Sequence, residues 1–335
     1  MLSGMARLCR ASVAAVVCGA LVSTASAGIT TASFGSGENQ LHIDFVTIPG
    51  SAGDGYGGQS AGDGFTTTNI AHDYRIGVYE ITNDQWGKFV NINGTPTGDP
   101  AGGYDEEFYD WGTGTTHVPT NKVSWYEAAQ FVNWLNTSTG HPPAYKFTGT
   151  QGNDNYTLDT WSTEEADNGT NLYRHKDAFY YLPTENEWVK AGYWNGTSLQ
   201  TYATKAGDTL HQGDGTSGTG WNYREDDYAT DPRGPWDVGS GSQELNGTYD
   251  IMGNVSEWME SPWSNAHSGT GSDRTLRGGA FSNNPDSVAS SDRGDFGDPN
   301  IESFGYGFRV ASEAPEPASL SLLAVGALVL IKRRR

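Results

Sequence analysis

Two segments near the start of the chain alternate between apolar and polar positions. Residues 40–48 (QLHIDFVTI) and 74–80 (YRIGVYE) are also rich in β-branched and aromatic residues. This pattern predicts two β-strands. The glycine-rich residues 50–64 between them predict a loop, and shorter strands are predicted at residues 275–278 and 307–311.

Three helix starts are predicted from a hydroxyl residue that is followed three positions later by Glu or Gln. In this capping-box pattern the two side chains bind free backbone amides of the first helical turn. The pairs are Thr82–Gln85, Ser124–Glu127 and Thr184–Glu187. The second helix also has apolar residues at helical spacing on one face, which core packing explains. They are Trp125, Ala128, Ala129, Val132 and Leu135.

The composition indicates a folded, acidic protein with many loops. The 335 residues include 45 Gly and are only 36% hydrophobic, but 12% are aromatic, and each aromatic side chain buries a large area. The formal net charge of −20 argues against nucleic-acid binding and against electrostatic binding to anionic membranes. We find no internal repeat in residues 28–313 and expect one domain. Residues 193–247 show little periodicity, so buried aromatics or a bound metal ion are needed to hold the loops.

The N-terminal residues 1–27 have the organisation of a secretory signal peptide. Arg7 and Arg10 precede an apolar stretch at residues 11–21, and residues 25–27 read Ala-Ser-Ala, which is typical of a cleavage site. A membrane anchor is the alternative interpretation, although the apolar stretch is short for a span of about 20 residues. The only two cysteines, Cys9 and Cys18, lie in this segment. We therefore expect the exported chain to contain no thiol.

The C-terminal residues 314–335 contain three elements in order. Pro-Glu-Pro at residues 315–317 precedes an apolar run at 318–331 and a basic cluster at 332–335. This order resembles the PEP-CTERM sorting signal. The resemblance implies processing by an exosortase, transient anchoring in the inner membrane, and delivery to the cell envelope or to an extracellular matrix rich in polysaccharide. An ordinary tail anchor is the alternative.

Six short segments, in order along residues 41–312, resemble the formylglycine-generating enzyme family, whose domain is also called the sulfatase-modifying factor domain. This resemblance implies an α+β fold related to C-type lectins, with long loops, little regular secondary structure and bound calcium. The segments are YRIGVYEITN (74–83), VSWYEAA (123–129), YLPTENEW (181–188), YDIMGNVSEW (249–258), LRGG (276–279) and GFRV (307–310).

The 249–258 segment contains a predicted calcium site, which we call the motif site. Asp250 and Glu257 are hard oxygen donors, and Gly253 permits a tight turn that directs carbonyls inward. The resemblance implies that the ligands are the side chains of Asp250 and Glu257 and the carbonyls of Gly253 and Val255. A capped helix start, with Asn254 and Glu257 bound to the backbone, is the alternative.

A second predicted calcium site, the Asn222 site, precedes this motif. The resemblance implies ligands at the Asn222 side chain and the Tyr223 carbonyl, and Asp231 is the candidate for the remaining side chain. The chain departs from the family in length and sequence over residues 226–237. Separately, the acidic residues 292–300 form either a solvated loop or a further calcium loop.

The family's oxidases use two cysteines shortly after the RGG motif. In this chain those positions hold Asn283 and Val288. Copper(I) prefers soft thiolate ligands, so copper is not expected as a cofactor. The catalytic residues of the family are therefore absent, and the oxidase chemistry is predicted to be absent as well.

These observations favour an exported binding or structural module for a glycan or a protein, stabilised by calcium. A divergent enzyme of the formylglycine-generating oxidase family, acting on a sulfatase or another substrate, is the alternative. A matrix protein with an acidic surface that retains calcium and polysaccharide is a further possibility. Four tryptophans are candidates for stacking on a sugar, with core burial as the favoured explanation for each. They are Trp111, Trp221, Trp236 and Trp263.

Overall fold

A computed structural model describes residues 28–96, 115–151, 155–225, 234–264 and 270–315. The predicted signal peptide, most of the predicted sorting signal, Trp111 and Asp231 lie outside these ranges. The described chain forms three α-helices: α1 (Asn83–Asn93), α2 (Trp125–Ser138) and α3 (Glu185–Tyr193). Its strands are β1 (Thr30–Phe34), β2 (Leu41–Ile48), β3 (Tyr74–Gly77), β4 (Lys146–Thr148), β5 (Thr157–Asp159), β6 (Ala166–Asp167), β7 (Asn171–His175), β8 (Tyr180–Tyr181), β9 (Ser256–Pro262), β10 (Arg274–Arg277), β11 (Phe296–Gly297), β12 (Tyr306–Gly307) and β13 (Ala311–Glu313).

The first sheet joins the two ends of the described chain. Its strand order is β1-β2-β3-β13-β8, so β13 is inserted between β3 and β8. All of its pairings are antiparallel, and Ala311 of β13 lies opposite Ile76 of β3. The strands predicted at residues 40–48 and 74–80 are confirmed as β2 and β3. Strand β1 was not predicted, because its outer residues are exposed and lack an apolar pattern.

The second sheet has the order β11-β10-β9-β12. Strand β9 pairs antiparallel with β10 and parallel with β12, which places Glu257 opposite Gly307. The predicted strand at residues 275–278 is confirmed as β10. The predicted strand at 307–311 is instead divided between β12 and β13, and these two short strands belong to different sheets.

All three predicted helix starts are confirmed. Thr82, Ser124 and Thr184 are the N-caps, and each forms the complete reciprocal capping box with the residue three positions later. The predicted face of α2 is buried in the core, as core packing requires. Around it lies a cluster of aromatic rings in mutual contact: Trp86, Phe89, Phe131, Trp134 and Phe308.

The described part of the chain between α3 and β9 contains no helix or strand of its own, which agrees with the predicted loop-rich region. The fold is therefore α+β with little regular structure, as expected. Among the described residues, no helix is both long enough and apolar enough to cross a bilayer.

Candidate functional site

The 249–258 motif forms tight turns that lead directly into β9. Asp250 and Asn254 both have positive φ values of 62°, and Gly253 has a φ of 95°. The Asn254 Nδ2 group donates to Glu80 Oε2 at 2.6 Å and so ties the turns to the end of the first sheet. The alternative prediction of a capped helix start is wrong, because these φ values are incompatible with a right-handed helix and the chain enters a strand at Ser256.

Glu257, a predicted calcium ligand, forms a buried ion pair with Arg309. Both residues are completely inaccessible to solvent. Arg309 Nη2 donates to Glu257 Oε1 at 2.6 Å, and Arg309 Nε donates to Oε2 at 2.7 Å. The indole N–H of Trp188 donates to the same Oε2 at 2.9 Å. Burial opposes the charged form of Arg309, but the charge of Glu257 outweighs it and raises the Arg309 pKa. The result is a bidentate, charge-assisted ion pair.

Three further buried carboxyl groups interact with Arg309. Burial raises the pKa of Glu244 to about 8 and that of Asp250 to about 6, while the charge of Arg309 acts to lower both. Burial, followed by the charge of Asp250, raises the pKa of Glu80 well above its usual range. Arg309 is thus the cation on which several buried acids depend.

The motif site fits calcium poorly. Calcium binds six to eight oxygens, but both Glu257 oxygens already accept from Arg309. One oxygen of Asp250 accepts from a backbone N–H at 2.7 Å. Among the described residues, no group of three or more His, Cys, Asp or Glu side chains could hold a metal ion. Of the predicted ligands, the carbonyls of Gly253 and Val255 and the second Asp250 oxygen are left as donors.

The Asn222 site suits a cation better than the motif site does, judged by Asn222, which is its one predicted side-chain ligand in the described residues. Asn222 is buried, and its Oδ1 has no hydrogen-bond partner in the described part of the chain. Its Nδ2 donates to the carbonyl of Gly234 at 3.1 Å and to Asn254 Oδ1 at 3.0 Å, which leaves the oxygen for a ligand. A buried acceptor without a partner costs about 1–3 kcal/mol, and a bound cation would remove this cost. Tyr223 is also buried, and Asp231 lies outside the described residues.

The two positions of the family cysteines hold side chains with structural roles. Asn283 Oδ1 accepts from the backbone N–H of Ala280 at 2.7 Å and closes a tight turn. Val288 ends the short 3₁₀ helix Pro285–Val288 and is completely buried in the apolar core. Its carbonyl accepts from the Tyr193 hydroxyl at 2.8 Å. Neither side chain offers a sulfur ligand.

A polar cavity of about 430 Å³, which we call the Ser256 cavity, lies beside Asn283. Its described walls carry hydroxyl, amide and carboxyl groups and no lysine or arginine. The lining includes Ser256, Asn283, Asp292, Asp295, Phe304 and Tyr306. Burial raises the pKa of both Asp292 and Asp295. The acidic residues 292–300 are therefore more than a solvated loop, because two of their carboxyl groups line a cavity.

A larger cleft of about 950 Å³, the Arg293 cleft, lies between the N-terminus of α3 and the end of β9. Its buried acids are already paired. Glu185 Oε1 accepts from Arg277 Nη2 at 2.5 Å and from Arg293 Nε at 2.8 Å. Glu260 Oε2 accepts from Arg174 Nη2 at 2.6 Å. These ion pairs join the walls of the cleft to one another.

The three candidate tryptophans in the described part of the chain offer little free ring surface. The Arg293 guanidinium lies 4.2 Å from the Trp263 ring centre, and Phe296 stacks on the same residue at 4.6 Å and 18°. Both groups contact the Trp263 ring system, so part of its surface is already covered. Trp221 is buried and Trp236 is partly buried. For Trp221, core burial is confirmed as the explanation.

Sequence reasoning missed the buried ion pairs that organise the site. Arg277 and Arg309 lie in the LRGG and GFRV segments, which carried the family resemblance but no assigned role. Arginine in a glycine-containing motif was the available signal. Arg174 lies outside the motifs, and nothing in the local sequence marks it as a partner of Glu260.

The fold and site together define a class: a loop-rich α+β domain of the formylglycine-generating-enzyme type, related to C-type lectins, in which buried ion pairs replace extensive secondary structure and the thiol pair is absent. The model of the sulfatase-modifying factor enzyme 1-like domain matches residues 33–314. The chain belongs to this family.

Several known proteins are similar to this chain. Chaperone protein LppX from Paenibacillus barcinonensis is 26% identical over 261 residues, which cover 71% of this chain and 78% of LppX. Treponema denticola variable protein 1 shares the fold with a TM-score of 0.56 and 21% identity, covering 85% of this chain and 99% of that structure. CarF has a TM-score of 0.55 and 21% identity, with 82% and 99% covered. PvdO from Pseudomonas aeruginosa has a TM-score of 0.55 and 16% identity, with 84% and 98% covered.

Proposed function

We propose that the chain is a binding module built on the sulfatase-modifying factor scaffold and that it does not carry out thiol-dependent oxidation. The observation that carries this proposal is the identity and role of Asn283 and Val288. One closes a turn and the other fills the core, so both positions are used for structure. Copper(I) and mixed-disulfide chemistry both require sulfur, which neither side chain supplies.

We propose that the ligand is a glycan or a protein. The Ser256 cavity and the Arg293 cleft support this because concave sites with converging polar groups are typical of ligand binding. The name of LppX, a chaperone, adds support for a protein partner. The net charge of −20 disfavours nucleic acid.

Export is a further part of the proposal. The supporting features are the signal-like residues 1–27 and the Pro-Glu-Pro, apolar and basic elements of residues 314–335. On this proposal an exosortase-type enzyme processes the tail. The domain then resides in the envelope or the extracellular matrix, and it contacts the membrane only through its C-terminal segment before processing.

The first prediction is that the protein neither binds copper(I) tightly nor oxidises a sulfatase-type cysteine peptide. The assay uses the full chain with Cys9→Ser and Cys18→Ser, so that no thiol outside the domain contributes. The matched control adds Asn283→Cys and Val288→Cys in the same background, which returns sulfur to both family positions. We expect only the control to gain copper(I) binding. Peptide turnover by the chain without cysteines would contradict the proposal and support the alternative of a divergent enzyme.

We also propose that calcium binds at the Asn222 site and stabilises the domain. A ligand that binds only the native state at 100 times its Kd stabilises that state by about 2.7 kcal/mol. We therefore predict that calcium raises the melting temperature of chelator-treated protein, with one equivalent bound in calorimetric titration. Asn222→Ala should abolish the rise, whereas Asn222→Asp, which keeps a side-chain oxygen, should retain it. Two equivalents, one of them lost in Glu257→Gln, would instead support the motif site.

A further inference from the structure

Ser256 places a buried hydroxyl in the wall of the Ser256 cavity. It is the first residue of β9, is 1% exposed, and its Oγ has no hydrogen-bond partner among the described residues. The hydroxyl lies near the Asp295 carboxyl group and acts to lower its pKa, although burial raises that pKa overall, and the two groups do not meet hydrogen-bond geometry. A buried hydroxyl without a partner is unfavourable by about 1–3 kcal/mol. This cost is removed if a ligand in the cavity supplies the partner.

The other polar groups of the cavity define what that ligand must offer. Asp295 Oδ1 accepts from the Tyr306 hydroxyl at 3.2 Å and retains acceptor capacity, and Asp292 adds a second carboxyl group. Asn283 contributes an amide. The described lining contains no lysine or arginine, so an anion would face two carboxyl groups without a compensating charge. The cavity therefore disfavours an anionic ligand and suits a ligand with several hydroxyl donors.

The rim of the cavity adds an aromatic surface. Phe304 lines the cavity and is 44% exposed, and its ring lies 6.1 Å from that of Phe281. Aromatic rings contact C–H groups well, and binding pockets usually combine such surfaces with a few placed polar groups. A sugar ring presents both kinds of surface, hydroxyl groups at its edge and C–H groups on its faces. A peptide lacks this regular alternation.

We propose that the Ser256 cavity binds one ring of a neutral sugar, with Ser256 and Asp295 bonding to ring hydroxyls and Phe304 contacting a C–H face. The volume of about 430 Å³ lies in the range of about 300–1,000 Å³ that is usual for small-molecule sites. The Arg293 cleft is the weaker candidate, since its buried acids are paired and the Trp263 ring system already contacts Arg293 and Phe296. This inference rests on the proposed binding function and specifies the ligand class.

The test is ligand-observed saturation-transfer NMR on the full chain, in a detergent without a sugar headgroup. Glucose, galactose, mannose and N-acetylglucosamine are the probes, and calcium and inorganic phosphate are titrated separately. We expect at least one neutral sugar to bind with millimolar affinity. Ser256→Ala should weaken this binding at least tenfold, or about 1.4 kcal/mol, and Tyr306→Phe should weaken it while keeping the ring packed on Trp258.

Ser217→Ala is the matched control, because Ser217 is an exposed loop serine outside the cavity, and it should bind as the unmodified chain does. Far-ultraviolet circular dichroism of each variant establishes that it is folded. Equal sugar binding by Ser256→Ala and Ser217→Ala would overturn the proposal, as would the absence of binding by all four sugars. Phosphate binding or calcium binding that is lost in Ser256→Ala would also overturn it. These failures are distinct from failure of the proposed function, which only peptide oxidation or copper binding would reveal.

Discussion

Replacement of Arg309 by methionine is expected to lower the free energy of unfolding by about 3–5 kcal/mol, which is the usual cost of leaving one member of a buried ion pair unpaired. The change leaves the Glu257 carboxylate buried without its bidentate ion-pair partner. It also removes bonds from Arg309 to the carbonyls of Gly77 and Tyr249. Urea denaturation at pH 7 measures the loss as a lower midpoint.

Two controls isolate the buried pair. Lys88→Met removes a partly exposed i,i+4 pair with Asp84 and should cost less than about 0.5 kcal/mol. The double variant Arg309→Met with Glu257→Gln removes the unpaired charge and should recover part of the loss. A cost for Arg309→Met as small as that of Lys88→Met would contradict the central role assigned to this pair.

The loss in the free energy of unfolding caused by Arg309→Met should also depend on pH. Burial raises the pKa of Glu244 to about 8, and Arg309 acts against this rise, so removing Arg309 raises it further. A carboxyl group whose pKa is higher in the folded state binds more protons when folded, and stability then falls as pH rises from the unfolded value through the folded one. The extra loss of stability in the variant should therefore appear as the pH rises through about 8 and beyond, where Glu244 ionises in the folded unmodified protein but stays protonated in the folded variant. Equal pH dependence would contradict this coupling.

Local sequence patterns correctly predicted the elements that depend on contacts between residues close together in the sequence. Each capping box involves residues three apart, and all three were placed correctly with their reciprocal bonds. Strand β2 was predicted from alternation because its exposed and half-buried positions fall mostly on one face, whereas all four residues of β3 are buried and its β-branched and aromatic residues were the useful signal. In contrast, the predicted strand at residues 307–311 divides between two sheets, because strands of two or three residues depend on their neighbours rather than on their own pattern.

The site could be predicted only in part, since its main contacts join distant segments. The Glu185–Arg277 pair spans 92 positions and the Glu257–Arg309 pair spans 52. No short-range pattern specifies which acid meets which arginine. The sequence predicted the Glu257 carboxylate as a calcium ligand, which would be reasonable for a carboxylate that has no other partner. The structure shows that an arginine from the closing motif occupies both of its oxygens.

Gly253→Ala is the second large effect that we expect, at about 3 kcal/mol or more. A side chain at a positive φ is strained by about 1–3 kcal/mol, and Gly253 has a φ of 95°. In addition, a Cβ at this position would lie 2.0 Å from the Asn222 carbonyl oxygen, a backbone atom that also accepts from the N–H of Asn254. Relief of that overlap requires the two loops to separate, which breaks the turns leading into β9.

Gly196→Ala separates the two causes, because Gly196 has nearly the same φ of 92° but nothing within 4 Å of its added Cβ. Gly196→Ala should therefore cost only the conformational strain, about 1–3 kcal/mol, and Gly253→Ala should exceed it by the cost of the backbone overlap. Both are measured by urea denaturation in calcium-free buffer, so that any change in cation binding at Asn222 does not contribute. Equal costs would mean that the two loops can separate without a loss of stability. Gly253 would then be needed only for its positive φ and not for the close contact between the Asn222 loop and the turns before β9.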